Sequence, residues 1–494
     1  MARGTASNPF AYAPQAGTTA DTARGRRIGF LTLIFAVGLA VGAALVKLPL
    51  LLVVGALIAL TSVVLVLAKP YIGLLVYTIL FILRPGEIWP VLAALHLERI
   101  VGTLTLASLF LAQYHSERHL VIDRSRQTHL LLLFVCAVAM SVPFASWRML
   151  AVDGLMEMLR IVGYYIMVAH LVDTRARLRG FIWTFCLLIT FVAVSSLYEY
   201  FAGGSFFAQG IDRAVALTSF GNNPNELGTT LASALPIFLL GAFHRPLRAG
   251  RWLLAAIGLA MLATIVFTGS RASILGLLGG LLWLWWRSRN RLLVGAFGLC
   301  LLIVGFTVMP QQYKTRYSTI THSELDGSSK SRVVTWIAGL NMLIDRPLFG
   351  VGIRCYGTAH AMSYSPEGTQ DWLEAHSLYL QVLGELGLVG TFLFFAFIVE
   401  MLRLNRGTTK LLAQAPTDWS FEILILDAVC AGVVVLLVSG VFGHSLLRRT
   451  WYVFAATGLA ILRTHLRQQE VAADEPATAR ASHPLLPEGG MELA

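Results

Sequence analysis

Charged residues are scarce in this 494-residue chain, where Asp, Glu, Lys and Arg together make up only 13%. Soluble domains carry about 25% charged residues, so this composition excludes a soluble globular fold. Hydrophobic residues make up 56% of the chain. Apolar runs long enough to cross about 30 Å of hydrocarbon recur between Ile28 and Leu462. We therefore predict a polytopic integral membrane protein.

Cysteines are also few, and the five present show no pairing pattern and no C-x-x-C spacing for a metal. No Gly-Lys-Ser/Thr loop that would cradle nucleotide phosphates is present. Residues 1–23 lack the apolar core of a cleavable signal peptide. The sequence thus predicts free thiols, no metal site and no cofactor.

The apolar runs are continuous rather than alternating, which favours helices over the strands of a closed barrel. We predict an all-α integral membrane protein, a polytopic helical bundle of about 12–14 transmembrane helices. The candidate spans are residues 28–46, 48–68, 70–83, 100–114, 130–145, 159–172, 181–202, 226–243, 252–268, 272–286, 292–309, 377–401, 420–442 and 450–462.

Basic residues gather in short connectors that follow even-numbered spans or precede the first. Because cytoplasmic connectors carry an excess of Lys and Arg, these connectors and both termini are predicted to be cytoplasmic. The net charge of +11 therefore reflects topology rather than nucleic-acid binding. Residues 1–27 and 468–494 are predicted to be disordered tails, and 28–467 the membrane domain. The clusters are Arg24/Arg26/Arg27, Arg118/Arg124/Arg126, Arg175/Arg177/Arg179, Arg245/Arg248/Arg251, Arg287/Arg289/Arg291 and Arg403/Arg406/Lys410.

One connector, residues 310–376, is much longer than the others and falls on the opposite, periplasmic side. A long polar loop is the default place for function in such a chain. Within it, Arg332 and Trp336 are four residues apart and share a face of a predicted helix. Arg346 and Arg354 follow in a Pro- and Gly-rich stretch. These arginines either hold an anion or pair with lipid headgroups and loop carboxylates.

Polar residues at three span boundaries complete the set of candidates. Arg271 begins a helix after Gly269-Ser270, where unpaired backbone N–H groups and a guanidinium suit an anion. His376 stands where the long connector re-enters the membrane, and an imidazole there can accept a proton. Asn225 precedes another span. The structural alternatives are a tight turn at Arg271, an interfacial histidine and an Asn225 helix cap.

Several of these segments, in this order, resemble the O-antigen ligase and polymerase superfamily. They are Ser270-Arg271-Ala272, Ser331-Arg332 with Trp336, DRPLFGVG at 345–352 and AHSLYLQVLGELGLVG at 375–390, with NNPNELG at 222–228 adding to the pattern. The resemblance covers about residues 190–445. His376-Ser377 followed by Gly387 and Gly390 is similar to a motif of the ligases.

The resemblance implies a GT-C-like, metal-independent glycosyltransferase in a bacterial inner membrane. Such enzymes move a glycan from undecaprenyl diphosphate to an acceptor hydroxyl on the periplasmic face. The acceptor is lipid A core in lipopolysaccharide synthesis, another lipid-linked repeat unit of O-antigen or exopolysaccharide, or a protein. Carried onto this chain, the resemblance makes His376 the catalytic base. The expected substrate-binding residues are Arg271, Arg332, Arg346, Arg354, Trp336 and Asn225.

Four alternatives to a ligase remain open. A polymerase of lipid-linked repeat units and a protein O-oligosaccharyltransferase share the same donor chemistry. A secondary transporter would use intramembrane residues such as Glu199, His170 and Glu385 near the midplane. It would lose activity when Glu199 is neutralised and tolerate loss of His376, whereas an enzyme would do the reverse. A structural scaffold would tolerate both changes.

Overall fold

The structure is a computed structural model that describes residues 60–117, 123–208, 210–217, 223–288, 290–292, 295–296, 298, 303, 307, 310–318, 327–366 and 371–474. The chain divides into two units, Met1–Leu65 and Val66–Ala494. The fold described here is that of the second unit. The predicted tail at 1–27, the span at 28–46 and most of the spans at 48–68 and 292–309 lie outside the described residues, as do residues 475–494.

Helices account for nearly all regular structure in the described residues. They are α1 (Pro70–Leu83), α2 (Pro85–Ile88), α3 (Pro90–Ala93), α4 (Leu97–Glu117), α5 (Arg126–Ser141), α6 (Arg148–Leu171), α7 (Arg175–Phe201), α8 (Pro224–Phe243), α9 (Arg251–Phe267), α10 (Arg271–Arg287), α11 (Gln311–Ser318), α12 (Gly327–Asp345), α13 (Tyr356–Ala359), α14 (Leu378–Ala413), α15 (Ser420–Gly440) and α16 (Arg449–Asp474). Short 3₁₀ and π turns cover Arg245–Gly250 and His360–Tyr364. The strands β1 (Phe206–Ala208) and β2 (Ile211–Arg213) form one antiparallel hairpin.

Six helical stretches among the described residues are long and apolar enough to cross a membrane. They are Pro70–Ile88, Arg175–Phe201, Pro224–Phe243, Pro246–Phe267, Leu378–Ala413 and Ser420–Gly440. The prediction of an all-α polytopic membrane protein is confirmed. The total of 12–14 spans and the GT-C likeness stay predictions.

Several helices extend beyond the apolar segments that predicted them. Helix α6 begins at Arg148 rather than near 159, and α14 runs on to Ala413, so Arg403, Arg406 and Lys410 are helical rather than in a connector. Helix α16 continues to Asp474, past the predicted tail boundary at 468. Hydropathy marks only the part of a helix that crosses hydrocarbon. Backbone hydrogen bonding continues wherever long basic side chains can reach water.

The helices bring several of the sequence-predicted basic residues that the structure describes to one end of the bundle. Arg175 of α7 pairs with Glu422 of α15 at 2.9 Å, and Arg126 of α5 lies 3.7 Å from Glu400 of α14. We call this the basic end. The opposite end carries the connectors 142–147, 202–208, 210–217, 268–270, 346–366, 371–377 and 441–448. The predicted site residues in the described chain belong to this opposite end, which we call the site end.

Small residues hold α10 directly against α15. A Cβ atom added at Gly276 would lie 2.0 Å from the Ser439 hydroxyl oxygen, and one at Gly280 would lie 2.6 Å from a Val435 methyl. Close approach through glycine is the common way for membrane helices to pack. It keeps the start of α10 beside the 441–448 connector at the site end.

The 345–352 and 384–390 motifs are each other's structural partners. Helix α14 breaks at Gly387, whose φ of 63° and ψ of −161° suit glycine alone. The break lets the Leu388 N–H donate to the Pro347 carbonyl at 2.8 Å, and the Val351 N–H donates to the Gly384 carbonyl at 2.8 Å. These glycines therefore allow the 345–352 loop to bind the broken helix directly. This contact holds the 345–352 loop against α14 at the site end.

Candidate functional site

Two adjoining cavities open among the connectors of the site end. The larger has a volume of about 400 Å³ and the smaller about 40 Å³. His376 and Asn225 line the smaller cavity, while Arg354 and Glu374 line the larger. Residues from α8, α14 and the 441–448 connector therefore converge on one polar basin formed by the two cavities. Residues that line both are Glu226, His444, Ser445 and Arg448.

His376 is held in place by its backbone at the entrance to α14. Its φ of 44° lies in the left-handed region, where non-glycine residues are uncommon. The half-buried ring packs near His444, with 5.9 Å between the two centroids. Burial, His444 and the charge of Arg332 lower the pKa of His376 to about 4. At neutral pH the imidazole is therefore uncharged and able to accept a proton.

Arg332 of α12 lies beside the smaller cavity, near His376. Its guanidinium carbon lies 5.9 Å from the ring centroid of Phe442, which lines the smaller cavity with His376. Trp336, one turn further along α12, has a buried indole N–H with no hydrogen-bond partner among the described residues. Arg332 thus supplies positive charge beside the cavity.

Asn225 lines the smaller cavity but does not cap α8. The cap is Asn223, whose side-chain oxygen accepts from the Asn225 backbone N–H at 2.9 Å. The Asn225 side-chain oxygen instead accepts from Arg213 at 2.9 Å, and Arg213 also donates to the Thr268 carbonyl at 2.7 Å. The capping expectation for Asn225 was wrong by two residues because Pro224 occupies the first helical position. The buried Arg213 ties the β hairpin to the start of α8 and to the turn before α10.

Arg271 occupies the first turn of α10, as the sequence predicts. Ser270 caps that helix by accepting from the Ser273 N–H. Arg271 is half-buried and lines neither cavity, although Ala272 lines the smaller one. Its place is therefore next to the basin rather than in its wall.

The two later arginines of the long connector have different surroundings. Arg354 lines the larger cavity and lies 3.5 Å from Glu157 of α6. Arg346 is exposed, donates to the Phe144 carbonyl and lines neither cavity. Of this pair, only Arg354 faces the basin.

Arg448 lines both cavities of the basin and contacts the start of α8. Its Nη1 donates to the Glu226 carbonyl at 2.9 Å and to the Thr230 hydroxyl at 3.0 Å. Its Nε is buried with no hydrogen-bond partner in the described chain. The sequence signal for Arg448 was its adjacency to Arg449 on the site side.

Polar atoms that lack partners cluster in the walls of the larger cavity. They are Arg448 Nε, His444 Nδ1, Ser445 Oγ and Glu385 Oε2, all buried and without a hydrogen bond to any described residue. An unpaired buried polar atom costs about 1–3 kcal/mol. Four in one cavity indicate a place that a polar ligand or water fills. Gln381 and Glu226 are further lining residues that the sequence did not single out.

The arrangement combines a neutral imidazole with guanidinium groups and hydrogen-bond donors. No group of three or more His, Cys, Asp or Glu side chains with metal-binding geometry occurs within the described ranges. The site can take a proton from a hydroxyl and stabilise an anion with arginines.

Comparison with known proteins agrees with the sequence motifs. No curated protein matches the chain at the threshold of significance. A family model described as O-antigen ligase matches residues 256–395. This match covers the start of α10, Arg332 and His376, three of the positions on which the resemblance was based. The likeness of this chain to the O-antigen ligase superfamily is therefore confirmed over residues 256–395.

Proposed function

We propose that the protein is a glycosyltransferase that moves a glycan from undecaprenyl diphosphate to an acceptor hydroxyl at the periplasmic face of the bacterial inner membrane. The observation that carries this proposal is that a neutral His376 and Arg448 line one basin, with Arg332 beside it. The family match supports glycan transfer in general. The identity of the donor, the side of the membrane and the role of each residue are part of the proposal.

In the proposed reaction His376 accepts the proton of the acceptor hydroxyl. The hydroxyl oxygen then attacks the anomeric carbon of the donor, and the bond from that carbon to the diphosphate oxygen breaks. The leaving diphosphate gains negative charge, which Arg332, Arg271 and Arg448 stabilise at the basin. The proposed sugar contacts are Arg354, Trp336 and Asn225. Arg346, which lines neither cavity, is proposed to contact the glycan farther from the reacting carbon.

The direct test is transfer by purified protein in lipid nanodiscs. We expect a glycosylated acceptor and free undecaprenyl diphosphate to appear in equal amounts, at the same rate with and without EDTA, because arginines replace a metal at the diphosphate. The acceptors to compare are lipid A core, a lipid-linked repeat unit and a protein hydroxyl. Loss of transfer in EDTA that magnesium or manganese restores would overturn the arginine mechanism.

The proposed orientation places the basic end in the cytoplasm and the site end in the periplasm. Cys355 is a poor reporter of this because it is buried, with its thiol 3.4 Å from the Trp147 carbonyl. Ser363 at the site end and Gln414 at the basic end are exposed and suit single cysteine substitutions instead. We expect an impermeant maleimide to label the Ser363→Cys variant from the periplasmic side and the Gln414→Cys variant only after permeabilisation. The opposite pattern would contradict the orientation.

The positions of the polar residues distinguish a transporter from an enzyme. The residues that favoured a transporter do not meet at a midplane: Glu199 lies two residues from the site end of α7, and His170 contacts Arg463 at the basic end. Glu385 lies within α14 but lines the basin. This distribution favours an enzyme. Ligase, polymerase and protein transferase share the donor chemistry, so the acceptor test decides among them.

A further inference from the structure

A further cavity, of about 260 Å³, adjoins the basin on the side of α1, α4 and α6. We call it the side chamber. Its charged lining residues are Arg84, Arg99, Arg160, Arg449, Glu87 and Glu98. Arg84 and Arg449 also line the larger cavity, so the side chamber and the basin share a wall.

The two glutamates of the side chamber lie beside two of its arginines. Arg84 donates to Glu87 at 3.0 Å. Arg449 is only 9% exposed and lies over the Phe81 ring at 3.9 Å. Its nearest nitrogen is 3.9 Å from Glu98 Oε1, too far for a hydrogen bond, and that oxygen is buried without a hydrogen-bond partner in the described chain.

The other two arginines give the side chamber its excess positive charge. Arg99 on α4 and Arg160 on α6 are both exposed, so their guanidinium groups are accessible to a ligand. The larger cavity, by comparison, is lined by equal numbers of arginines and glutamates. Mixed carboxylates, amides and hydroxyls suit sugar hydroxyls, whereas an arginine excess suits a phosphoryl group. The charged lining of the larger cavity comprises Arg84, Arg354, Arg448 and Arg449 with Glu157, Glu226, Glu374 and Glu385.

We infer that the side chamber binds a phosphoryl group carried by the acceptor, a phosphorylated amphiphile. The inference rests on the proposed function, which places the donor diphosphate at Arg332 and His376. With the acceptor phosphoryl group at Arg99 and Arg160, the sugar that bears the reacting hydroxyl would occupy the larger cavity. Two phosphate-bearing substrates then have separate anion sites on opposite sides of the basin.

The test measures binding of a fluorescent dodecyl phosphate to the full chain in phosphatidylcholine nanodiscs. The Arg99→Ala/Arg160→Ala variant is expected to weaken binding roughly tenfold, because two charge-assisted contacts are lost. Arg148→Ala/Arg251→Ala is the matched control: it also removes two exposed arginines, but neither lines the side chamber. Equal weakening in both variants, or none in the first, would overturn the inference. Arg99→Gln/Arg160→Gln repeats the test if the alanine variant fails to fold.

Competition identifies the source of the phosphoryl group. We expect unlabelled dodecyl phosphate to displace the probe at much lower concentration than inorganic phosphate or phosphatidylglycerol. Equal competition by inorganic phosphate would identify a soluble phosphate site, and equal competition by phosphatidylglycerol would identify a site for bulk lipid. Either result overturns the acceptor assignment.

The inference and the proposed function fail separately. His376→Ala should lose glycan transfer and keep the wild-type affinity for the probe, because His376 does not line the side chamber. If transfer survives in His376→Ala, the proposed base is wrong while the phosphoryl site stands. If replacing Arg99 and Arg160 does not change probe binding while transfer depends on His376, the phosphoryl site is wrong and the proposed base stands.

Discussion

Replacing His376 with alanine is expected to reduce glycan transfer by about 10²–10⁴-fold, the usual effect of losing a general base. Folding and donor binding should be largely kept, because the half-buried ring packs only loosely against His444, at 5.9 Å between centroids. The measurements are transfer rate and lipid-diphosphate affinity on equally expressed protein. His129→Ala, which removes an exposed histidine at the basic end, is the matched control and should behave as wild type.

The pH profile gives a second readout of the same residue. The lowered pKa of about 4 keeps His376 mostly uncharged down to about pH 5, and the base form is lost as pH falls through the pKa. Transfer should therefore stay nearly constant from pH 7 to about pH 5, where an ordinary histidine with a pKa of about 6.5 would be mostly protonated. Normal transfer by His376→Ala, or its failure to fold, would contradict the assignment of the base.

Replacing Arg332 or Arg271 with lysine is expected to lower transfer roughly tenfold or more although the charge is kept. A guanidinium binds phosphate through two parallel N–H donors, which an ammonium cannot reproduce. The larger effect is expected at Arg332, whose charge acts on His376 and whose side chain lies against Phe442. The measurement is transfer rate with donor affinity.

Arg148→Lys is the matched control for these variants, since Arg148 lies at the site end but lines neither basin cavity. It should leave transfer unchanged. Full activity in both Arg332→Lys and Arg271→Lys would show that only a general positive field is needed. Specific phosphate recognition by these two residues would then be wrong.

The sequence predicted the helices and the set of candidate positions well because both depend on local pattern. Long apolar runs indicated spans such as Pro70–Leu83 and Pro224–Phe243 to within two residues. The start of α10 at Arg271 followed from the Gly269-Ser270 turn, and α12 followed from the spacing around Arg332. Such features need only neighbouring residues.

Contacts between segments far apart in the chain could not be predicted from the sequence. Nothing local indicates that Arg448 reaches the Glu226 carbonyl of α8, or that Arg213 joins Asn225 to Thr268. Helix ends were also misjudged where charged residues continue a helix past the apolar part, as in α14. These features depend on packing among elements far apart in the chain.

The role of the glycines at 384–390 was only half visible for the same reason. Their spacing predicts close packing, but the partner is the loop around Pro347 and Val351 rather than another helix. The positive φ at Gly387 creates the break that admits this loop. A backbone conformation of this kind is not encoded in apolar periodicity.

Photocrosslinking with a diazirine analogue of the undecaprenyl diphosphate donor, mapped by mass spectrometry, asks whether the basin holds the donor. The donor's diphosphate is proposed to lie at the basin, so labelled peptides should come from the 441–448 connector and the entrance to α14 around His376. Excess unlabelled donor should suppress this labelling. Labelling confined to the basic end, or unchanged by competition, would contradict a donor site at the basin.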